Sequence, residues 1–210
     1  MSLRIELCVS GPLETNTYAL CAQGHCWLVD PGMGLGRLLA ALARDKHAPS
    51  RVLLTHGHGD HIAGLAELRE AHPDIRVCCP AADAPMLTDP QLNLSAPFGF
   101  PIIAVPADEL IRPGGTLMMG DLAWRVLDTS GHSPGGVSYY CPQAEMVLTG
   151  DALFAGGIGR TDVPGGDEAR LLHNIRRHLL TLPDSTRVLP GHGPESTISR
   201  ERRDNPFLLD

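Results

Sequence analysis

Short apolar runs alternate with amphipathic stripes along most of the chain, a pattern typical of mixed α/β structure. Leucines at 35, 38, 39 and 42 follow the i, i+3, i+4, i+7 spacing of one helix face. Strands are predicted at 3–9, 17–22, 25–29, 51–55, 75–79, 116–119, 122–127, 137–141, 145–149 and 187–189. Helices are predicted at 35–42, at 62–71, near 81–88, and from 167 to 179.

The order of these elements predicts two mixed sheets with helices packed outside them. Residues 89–106 are rich in Pro, Gly and Asn and are predicted to form a loop over one rim. A short C-terminal tail is expected after the last strand. Because no linker or low-complexity segment interrupts the chain, we expect one domain over residues 1–210.

A dense group of polar side chains follows the apolar run 52–54. The segment Thr55-His56-Gly57-His58-Gly59-Asp60-His61 brings three imidazoles and one carboxylate together between a predicted strand and a predicted helix. Neutral imidazole nitrogen and carboxylate oxygen are natural ligands of zinc and related divalent ions. The sequence therefore predicts a metal site built on this strand-to-helix turn.

Three later strands end in the same way, with a glycine beside one residue able to bind metal. These residues are His132, Asp151 and His192. The polar residues of all four motifs also have simpler explanations. Asp60 is a reasonable N-cap, and a histidine in a turn is often only hydrogen-bonded. Such explanations would have to hold independently at four strand ends, so we favour a shared metal site.

Composition and charge narrow the classes of partner. The chain of 210 residues has a formal net charge of −7, and only one of its 17 basic residues, Lys46, is a lysine. No basic stripe runs along it, which disfavours nucleic acid. We also expect no membrane partner, because no apolar run approaches a membrane span. Six cysteines without metal-site spacing and a beginning without a basic leader predict a reduced, cytoplasmic protein.

Taken in order, H-x-H-x-D-H, G-H, G-D and G-H resemble the metallo-beta-lactamase superfamily. The resemblance extends from Asn16 to Pro194. It implies a four-layer αβ/βα sandwich of two mixed sheets with outer helices, and a site at one edge of the sandwich. It also implies two divalent ions per chain, with zinc favoured and iron or manganese as alternatives.

The family pattern assigns a role to each polar residue of these motifs. His56, His58 and His132 would hold the first ion, and Asp60, His61 and His192 the second. Asp151 would bridge the two ions, and Asp60 and Asp151 would have catalytic roles. His58 favours hydrolysis, since a glutamate there is typical of the flavodiiron branch.

The segment 154–162 and the Pro190–Pro194 ending resemble the short, single-domain bacterial members of the glyoxalase II-like group. This implies a hydroxyacylglutathione hydrolase-type enzyme acting on a small, glutathione-linked thioester, as a monomer or homodimer. Arg160 is a candidate anchor for a substrate carboxylate. Two features depart from glyoxalase II. We expect no C-terminal helical domain of the kind that helps those enzymes to hold glutathione. At two positions where they have tyrosine, this chain has Asp162 and Pro194.

Thioester hydrolysis by a metal-activated water also agrees with the chemistry of the leaving group. A thiol pKa near 8.5 makes protonation of the leaving group less necessary than for an amine. The alternative is a mononuclear-iron persulfide dioxygenase, whose branch shares Gly159-Arg160-Thr161-Asp162 and would use His56, His132 and Asp151. Hydrolysis of another ester, a lactone or a β-lactam, and a non-catalytic metal site, are the remaining classes.

Overall fold

The structure, a computed structural model, describes residues 3–209 and contains the two mixed sheets that the sequence predicts. The chain divides into two compact units, which we call the first unit (ending at Ile111) and the second unit (beginning at Arg112). The expectation of one domain over 1–210 stays a prediction. Among the described residues, no helix has the length and apolar character needed to cross a bilayer.

Six strands form the sheet of the first unit, in the order β1-β2-β3-β4-β5-β6. The first two pairings are antiparallel, and β3 to β6 run parallel. The strands are β1 (Arg4–Ser10), β2 (Thr15–Ala22), β3 (His25–Val29), β4 (Arg51–Leu53), β5 (Arg76–Pro80) and β6 (Glu109–Ile111). The three-residue strand β6 was not predicted, because its only signal is a Leu-Ile pair next to charged residues.

The helices of the first unit are α1 (Gly36–Arg44), α2 (Gly59–Ile62) and α3 (Leu65–Ala71). Their apolar faces pack with one side of the sheet in a core that includes Leu28, Leu38, Val52 and Leu68. The predicted helix near 81–88 is a single 3-10 turn, Ala84–Leu87. The loop predicted at 89–106 is irregular, with one further 3-10 turn at Ala96–Phe98.

The single helix predicted at 62–71 is wrong in two respects: it begins earlier and it is broken at Gly64. The Gly64 amide donates to the Pro31 carbonyl oxygen instead of an intrahelical acceptor. A Cβ at Gly64 would lie 2.5 Å from the Gly32 carbonyl oxygen, so only glycine permits this close packing. Because α2 begins at Gly59, Asp60 and His61 lie inside its single turn, and its N-cap is His58 and not Asp60.

The sheet of the second unit has the order β14-β13-β10-β9-β8-β7, in which only β10 and β13 are parallel neighbours. Its strands are β7 (Thr116–Met119), β8 (Leu122–Asp128), β9 (Val137–Cys141), β10 (Met146–Gly150), β13 (Arg187–Pro190) and β14 (Ser196–Thr197). A separate two-stranded hairpin, β11 (Leu153–Phe154) and β12 (Gly157–Ile158), follows β10. The sequence signal for two-residue strands is too short to detect.

Two helices pack on this second sheet. The predicted helix from 167 is α4 (Glu168–Asn174), which continues as a π-helical turn, Ile175–Leu179; the Asp167 side chain caps it by accepting from the Arg170 amide. The expected C-terminal tail is wrong, because residues 196–204 form β14 and helix α5 (Ile198–Asp204). Thr197 caps α5 through the Arg200 amide, and Ile198 packs with Leu171 and Val188.

All six cysteines are free thiols, and Cys8 alone among them is not fully buried. Burial raises the pKa of the Cys78 thiol to about 12. An unfolded chain releases this proton near pH 8.5, so above that pH the unfolded state binds fewer protons and stability falls.

The unfolding free energy of the wild-type protein is expected to fall as the pH rises from 9 to 11. In Cys78→Ala we expect this slope to be shallower by about 1.4 kcal/mol per pH unit. Urea unfolding at a series of pH values measures this slope. Cys8→Ala is the control and should flatten the slope less, because the Cys8 thiol is only half-buried. Parallel profiles for wild type and Cys78→Ala would contradict the prediction.

Candidate metal centre

The first unit holds four of the predicted ligands on the segment that leaves the carboxyl end of β4. His56 and His58 lie in the turn after β4, and Asp60 and His61 lie on α2. The His56 ring centroid is 4.7 Å from that of His58 and 4.2 Å from that of His61. The structure therefore gathers the histidine cluster (residues 56–61) as the sequence predicts.

A residue missing from the predicted ligand set, Asp30, organises this cluster. It directly follows β3, the parallel neighbour of β4, and it is 2% exposed. Its Oδ1 accepts from the Thr55 amide and its Oδ2 from the Thr55 hydroxyl, at 2.8 and 2.6 Å. The signal that could have found it is the same as for the others: an acidic residue at a strand end beside Pro-Gly.

Hydrogen bonding fixes which nitrogen of His56 carries the proton. The Thr55 hydroxyl has one hydrogen, which it donates to the Asp30 carboxylate, so it accepts from His56 Nδ1 at 3.0 Å. The neutral ring therefore keeps its lone pair on Nε2. A ring oriented in this way through a threonine and a buried carboxylate is prepared to bind a metal ion.

Asp60 and His61 are positioned by neighbouring side chains. His61 Nδ1 lies 3.1 Å from Asp30 Oδ2, and His61 Nε2 lies 3.3 Å from Asp60 Oδ2. The Thr15 hydroxyl donates to Asp60 Oδ2 at 2.8 Å. One ligand atom from each of Asp30, His56 and His61 lies within 4.8 Å of the other two, so this group has the spacing of a metal-capable cluster.

The second unit gathers the other three predicted ligands. Asp151 and His192 follow the adjacent parallel strands β10 and β13, which the Gly191 amide joins by donating to the Gly150 carbonyl oxygen at 2.8 Å. His132 follows β8. Asp151 Oδ2 lies 3.6 Å from His132 Nε2 and 3.5 Å from His192 Nε2.

The tautomer of His132 is also determined by its surroundings. His132 Nδ1 lies 2.7 Å from the carbonyl oxygen of Arg160, which can only accept a hydrogen bond. Nδ1 is therefore the donor, and in a neutral ring the lone pair is then on Nε2, the nitrogen nearest Asp151 Oδ2. His132 and His56 thus have the same tautomer, set by different acceptors.

Gly159 allows the chain to pass close to this second cluster. A Cβ at this position would lie 1.9 Å from the Asp151 carbonyl oxygen and 2.9 Å from His132 Nδ1. No side chain fits there without moving backbone. The Arg160 carbonyl reaches His132 because its neighbour is glycine.

The Arg160 side chain points to solvent and forms a two-pronged ion pair with Asp162, at 2.8 and 2.9 Å. The hydrogen bond from Arg160 lowers the pKa of the Asp162 carboxyl, and the same pair raises the pKa of Arg160. The structure therefore assigns a positioning role to the Arg160 carbonyl. Its guanidinium as a substrate anchor stays a prediction.

The remaining five histidines, His25, His47, His72, His173 and His178, are exposed or half-buried. None of them belongs to a metal-capable group in the part of the chain that the structure describes. The five histidines outside the motifs therefore differ in their surroundings from the five within them.

A family model described as the metallo-beta-lactamase superfamily matches residues 10–192. A Bacillus subtilis protein named probable metallo-hydrolase YqgX is 45% identical over 200 residues, covering 94% of each chain. Hydroxyacylglutathione hydrolase GloC of Haemophilus influenzae is 33% identical over 183 residues and 86% of each chain.

Solved structures agree with these relatives. The BLEG-1 B3 metallo-beta-lactamase superposes with a TM-score of 0.94 at 38% identity, over 99% of this chain and 100% of that one. TTHA1623 in a di-iron-bound form gives 0.87 at 36% identity, with 97% and 100% covered. ETHE1 from Myxococcus xanthus gives 0.80 at 30% identity, with 97% and 83% covered.

The predicted fold class is confirmed by these neighbours and by the two mixed sheets. The family match, the relatives and the gathered His and Asp side chains lead to one conclusion: this chain belongs to the metallo-beta-lactamase superfamily.

Proposed function

We propose that this protein is a metal-dependent thioester hydrolase whose two ion-binding sites use all seven predicted ligands. The observation that carries the proposal is the geometry of the three carboxylate–imidazole pairs formed among these seven ligands. The oxygen-to-nitrogen distances of 3.3, 3.5 and 3.6 Å are long for charged hydrogen bonds. They are close to the spacing of about 3.3–3.4 Å between two ligands of one tetrahedral ion with bonds of 2.0–2.1 Å.

The donor set also fits divalent cations in its chemistry. His56 and His132 each have Nδ1 hydrogen-bonded to an oxygen atom, so Nε2 is the nitrogen assigned to the metal, and carboxylates stand beside His61, His132 and His192. His56, His58 and His132 are assigned to one ion, Asp60, His61 and His192 to the other, and Asp151 to both. Nitrogen and carboxylate donors suit zinc, and the di-iron form of TTHA1623 supports iron as the alternative.

Bound ions of this kind supply a nucleophile from water at neutral pH and stabilise developing negative charge on a carbonyl oxygen. The protein's own residues supply orientation. Asp30 and Thr55 hold His56, the Thr15 hydroxyl holds Asp60, and the Arg160 carbonyl holds His132. These contacts fix the donors before any ion or substrate arrives.

The substrate we infer is a small thioester carrying a carboxylate, of which a glutathione conjugate is the leading example. The Arg160 guanidinium uses two of its five donors on Asp162, which leaves three for a substrate carboxylate. A thiolate leaving group removes the need for a general acid. The similarity to hydroxyacylglutathione hydrolase GloC supports this class. We propose neither nucleic acid nor membrane as a partner.

Metal analysis followed by activity assays on the same sample tests the proposal. We expect two ions per chain in protein from unsupplemented cells, and hydrolysis of S-lactoylglutathione that a chelator abolishes and zinc or iron restores. Acyl-coenzyme A thioesters, a lactone and a β-lactam are the comparison substrates, the last because BLEG-1 is a metallo-beta-lactamase. No hydrolysis of any thioester by metal-loaded protein would overturn the proposal.

The second candidate is the persulfide dioxygenase, and the similarity to ETHE1 is compatible with it. It would require one iron per chain, held by His56, His132 and Asp151. Oxygen consumption with glutathione persulfide, together with a single iron, would favour it over hydrolysis. Two ions per chain would count against it.

Thr55→Val tests the orientation of His56. Valine keeps the volume of the side chain but removes the hydroxyl that joins His56 Nδ1 to Asp30. We expect zinc affinity to fall about 10- to 100-fold, as for other residues that orient metal ligands. Competition with a chromophoric chelator measures the affinity.

Thr17→Val is the matched control, because Thr17 is equally buried and its hydroxyl donates to the backbone oxygen of Asp30. It should lower stability while leaving zinc affinity within about twofold of wild type. Equal zinc affinity in Thr55→Val and wild type would show that the hydrogen bonds from His56 through Thr55 to Asp30 do not orient His56.

A further inference from the structure

Helix α5 carries a buried carboxylate that the proposed function does not use. Glu201 is 1% exposed, and burying a carboxylate is costly unless it is well hydrogen-bonded. Three donors reach it: the Ser196 hydroxyl at Oε1, and the Gly156 amide and the Asn205 Nδ2, both at 2.8 Å, at Oε2. The Gly156 contact joins the C-terminal helix to a distant part of the second unit.

That part is the β11–β12 hairpin, which has only two residues in each strand around the turn Ala155-Gly156. A hairpin this short is not stable alone. Asn205, one helical turn after Glu201, donates to the Gly157 carbonyl oxygen at 3.1 Å. Helix α5 therefore holds the backbone on both sides of the Gly156–Gly157 bond.

The hairpin lies between residues of the second cluster. It begins two residues after Asp151, and it ends two residues before Arg160, whose carbonyl oxygen accepts from His132 Nδ1. Its Phe154 ring stands edge-on to the His192 ring at 6.1 Å between centroids. A shift of this hairpin would change the surroundings of all three second-unit ligands.

We propose that Glu201 is a positioning residue: its carboxylate anchors the β11–β12 hairpin so that the Arg160 carbonyl holds His132 in the Nε2-lone-pair tautomer. This rests on the proposed function, in which His132, Asp151 and His192 bind metal. The role depends on hydrogen-bond acceptance at Oε2 and not on the negative charge.

Two variants separate the hydrogen-bond-accepting role of Glu201 from its negative charge: Glu201→Leu removes both, and Glu201→Gln removes only the charge. Glutamine can place its oxygen at the Oε2 position and its amide group against Ser196, whose hydroxyl can rotate to accept. In metal-free protein, we expect Glu201→Leu to raise amide exchange at Gly156 at least tenfold. We also expect it to add a second tautomer to the ¹⁵N spectrum of the His132 ring, while Glu201→Gln keeps the wild-type pattern.

Cobalt(II) binding gives an independent readout in the holoprotein. Glu201→Leu should weaken cobalt affinity about 10- to 100-fold, and Glu201→Gln should stay within about threefold of wild type. Ser196→Ala is the matched control, since it removes a hydrogen bond from the same carboxylate without touching the hairpin. It should lower stability to urea but leave Gly156 exchange and cobalt affinity unchanged.

Wild-type exchange at Gly156 and a single His132 tautomer in Glu201→Leu would overturn the proposal. Loss of the wild-type pattern in Glu201→Gln would overturn the claim that charge is dispensable. These measurements on metal-free protein do not depend on turnover. A wild-type protein that hydrolyses no thioester would therefore refute the proposed function and leave the test of Glu201 intact.

Discussion

Asp151→Asn is expected to reduce bound metal from two ions per chain to one or none and to lower kcat for thioester hydrolysis by about 10²- to 10⁴-fold. Asp151 Oδ2 lies within 3.6 Å of both His132 Nε2 and His192 Nε2, so it is the shared member of the second cluster. Asparagine keeps the size but removes the negative charge. Removing the charge weakens ion binding and transition-state stabilisation by several kcal/mol, which corresponds to this 10²- to 10⁴-fold fall in kcat.

Metal analysis after gel filtration and steady-state kinetics at saturating substrate measure the two effects. Asp121→Asn is the control, because Asp121 is an exposed carboxylate in the turn between β7 and β8. It should retain wild-type metal content and kcat. An Asp151→Asn variant that kept two ions and wild-type kcat would exclude a bridging role.

Gly159→Ala should lower kcat by an amount comparable to that of Asp151→Asn, by displacing atoms of the site without removing a charge. Its Cβ would need the space now occupied by the Asp151 carbonyl oxygen, at 1.9 Å, and would press on His132 Nδ1 at 2.9 Å. Neither atom belongs to a flexible side-chain end, so the backbone at Asp151 or the His132–Arg160 contact must move. A displacement of about 1 Å at a catalytic group can cost about 10²-fold in rate.

Gly157→Ala is the matched control, two residues earlier in the β11–β12 hairpin. A Cβ there would meet only Phe154 side-chain atoms at 3.9 Å, an ordinary contact. We expect it to keep its metal and activity within about threefold of wild type, while Gly159→Ala loses about 10²-fold or more in kcat. Equal activity of the two variants would show that the close approach at Gly159 does not matter.

The candidate ligands could be selected from sequence because each follows an apolar strand, and strands are readable from short apolar runs. His56, Asp151 and His192 each stand one to three residues beyond a strand end. The same signal was present at Asp30, which follows β3 directly. It was overlooked because a lone aspartate before Pro-Gly also suits an ordinary turn.

Other features depend on contacts that no local pattern reveals. The break at Gly64 coincides with close packing against the backbone of residues 31–32, and the separate first turn begins at Gly59. Arg160 was predicted from its side chain, whereas the structure shows its carbonyl oxygen on His132. The importance of Glu201 arises from residues 45 positions apart in sequence, Gly156 and Glu201.

In each unit, candidate metal ligands or the residues that position them lie just beyond two adjacent parallel strands, β3 with β4 and β10 with β13, while His132 alone follows β8. The segment that joins β3 to β4 crosses outside the sheet, so it can change length without changing where these strands end. Insertions and deletions in this crossing would therefore leave the residues that follow β3 and β4 in place. Such a construction lets the surroundings of the histidine cluster vary in length while its polar residues stay constant.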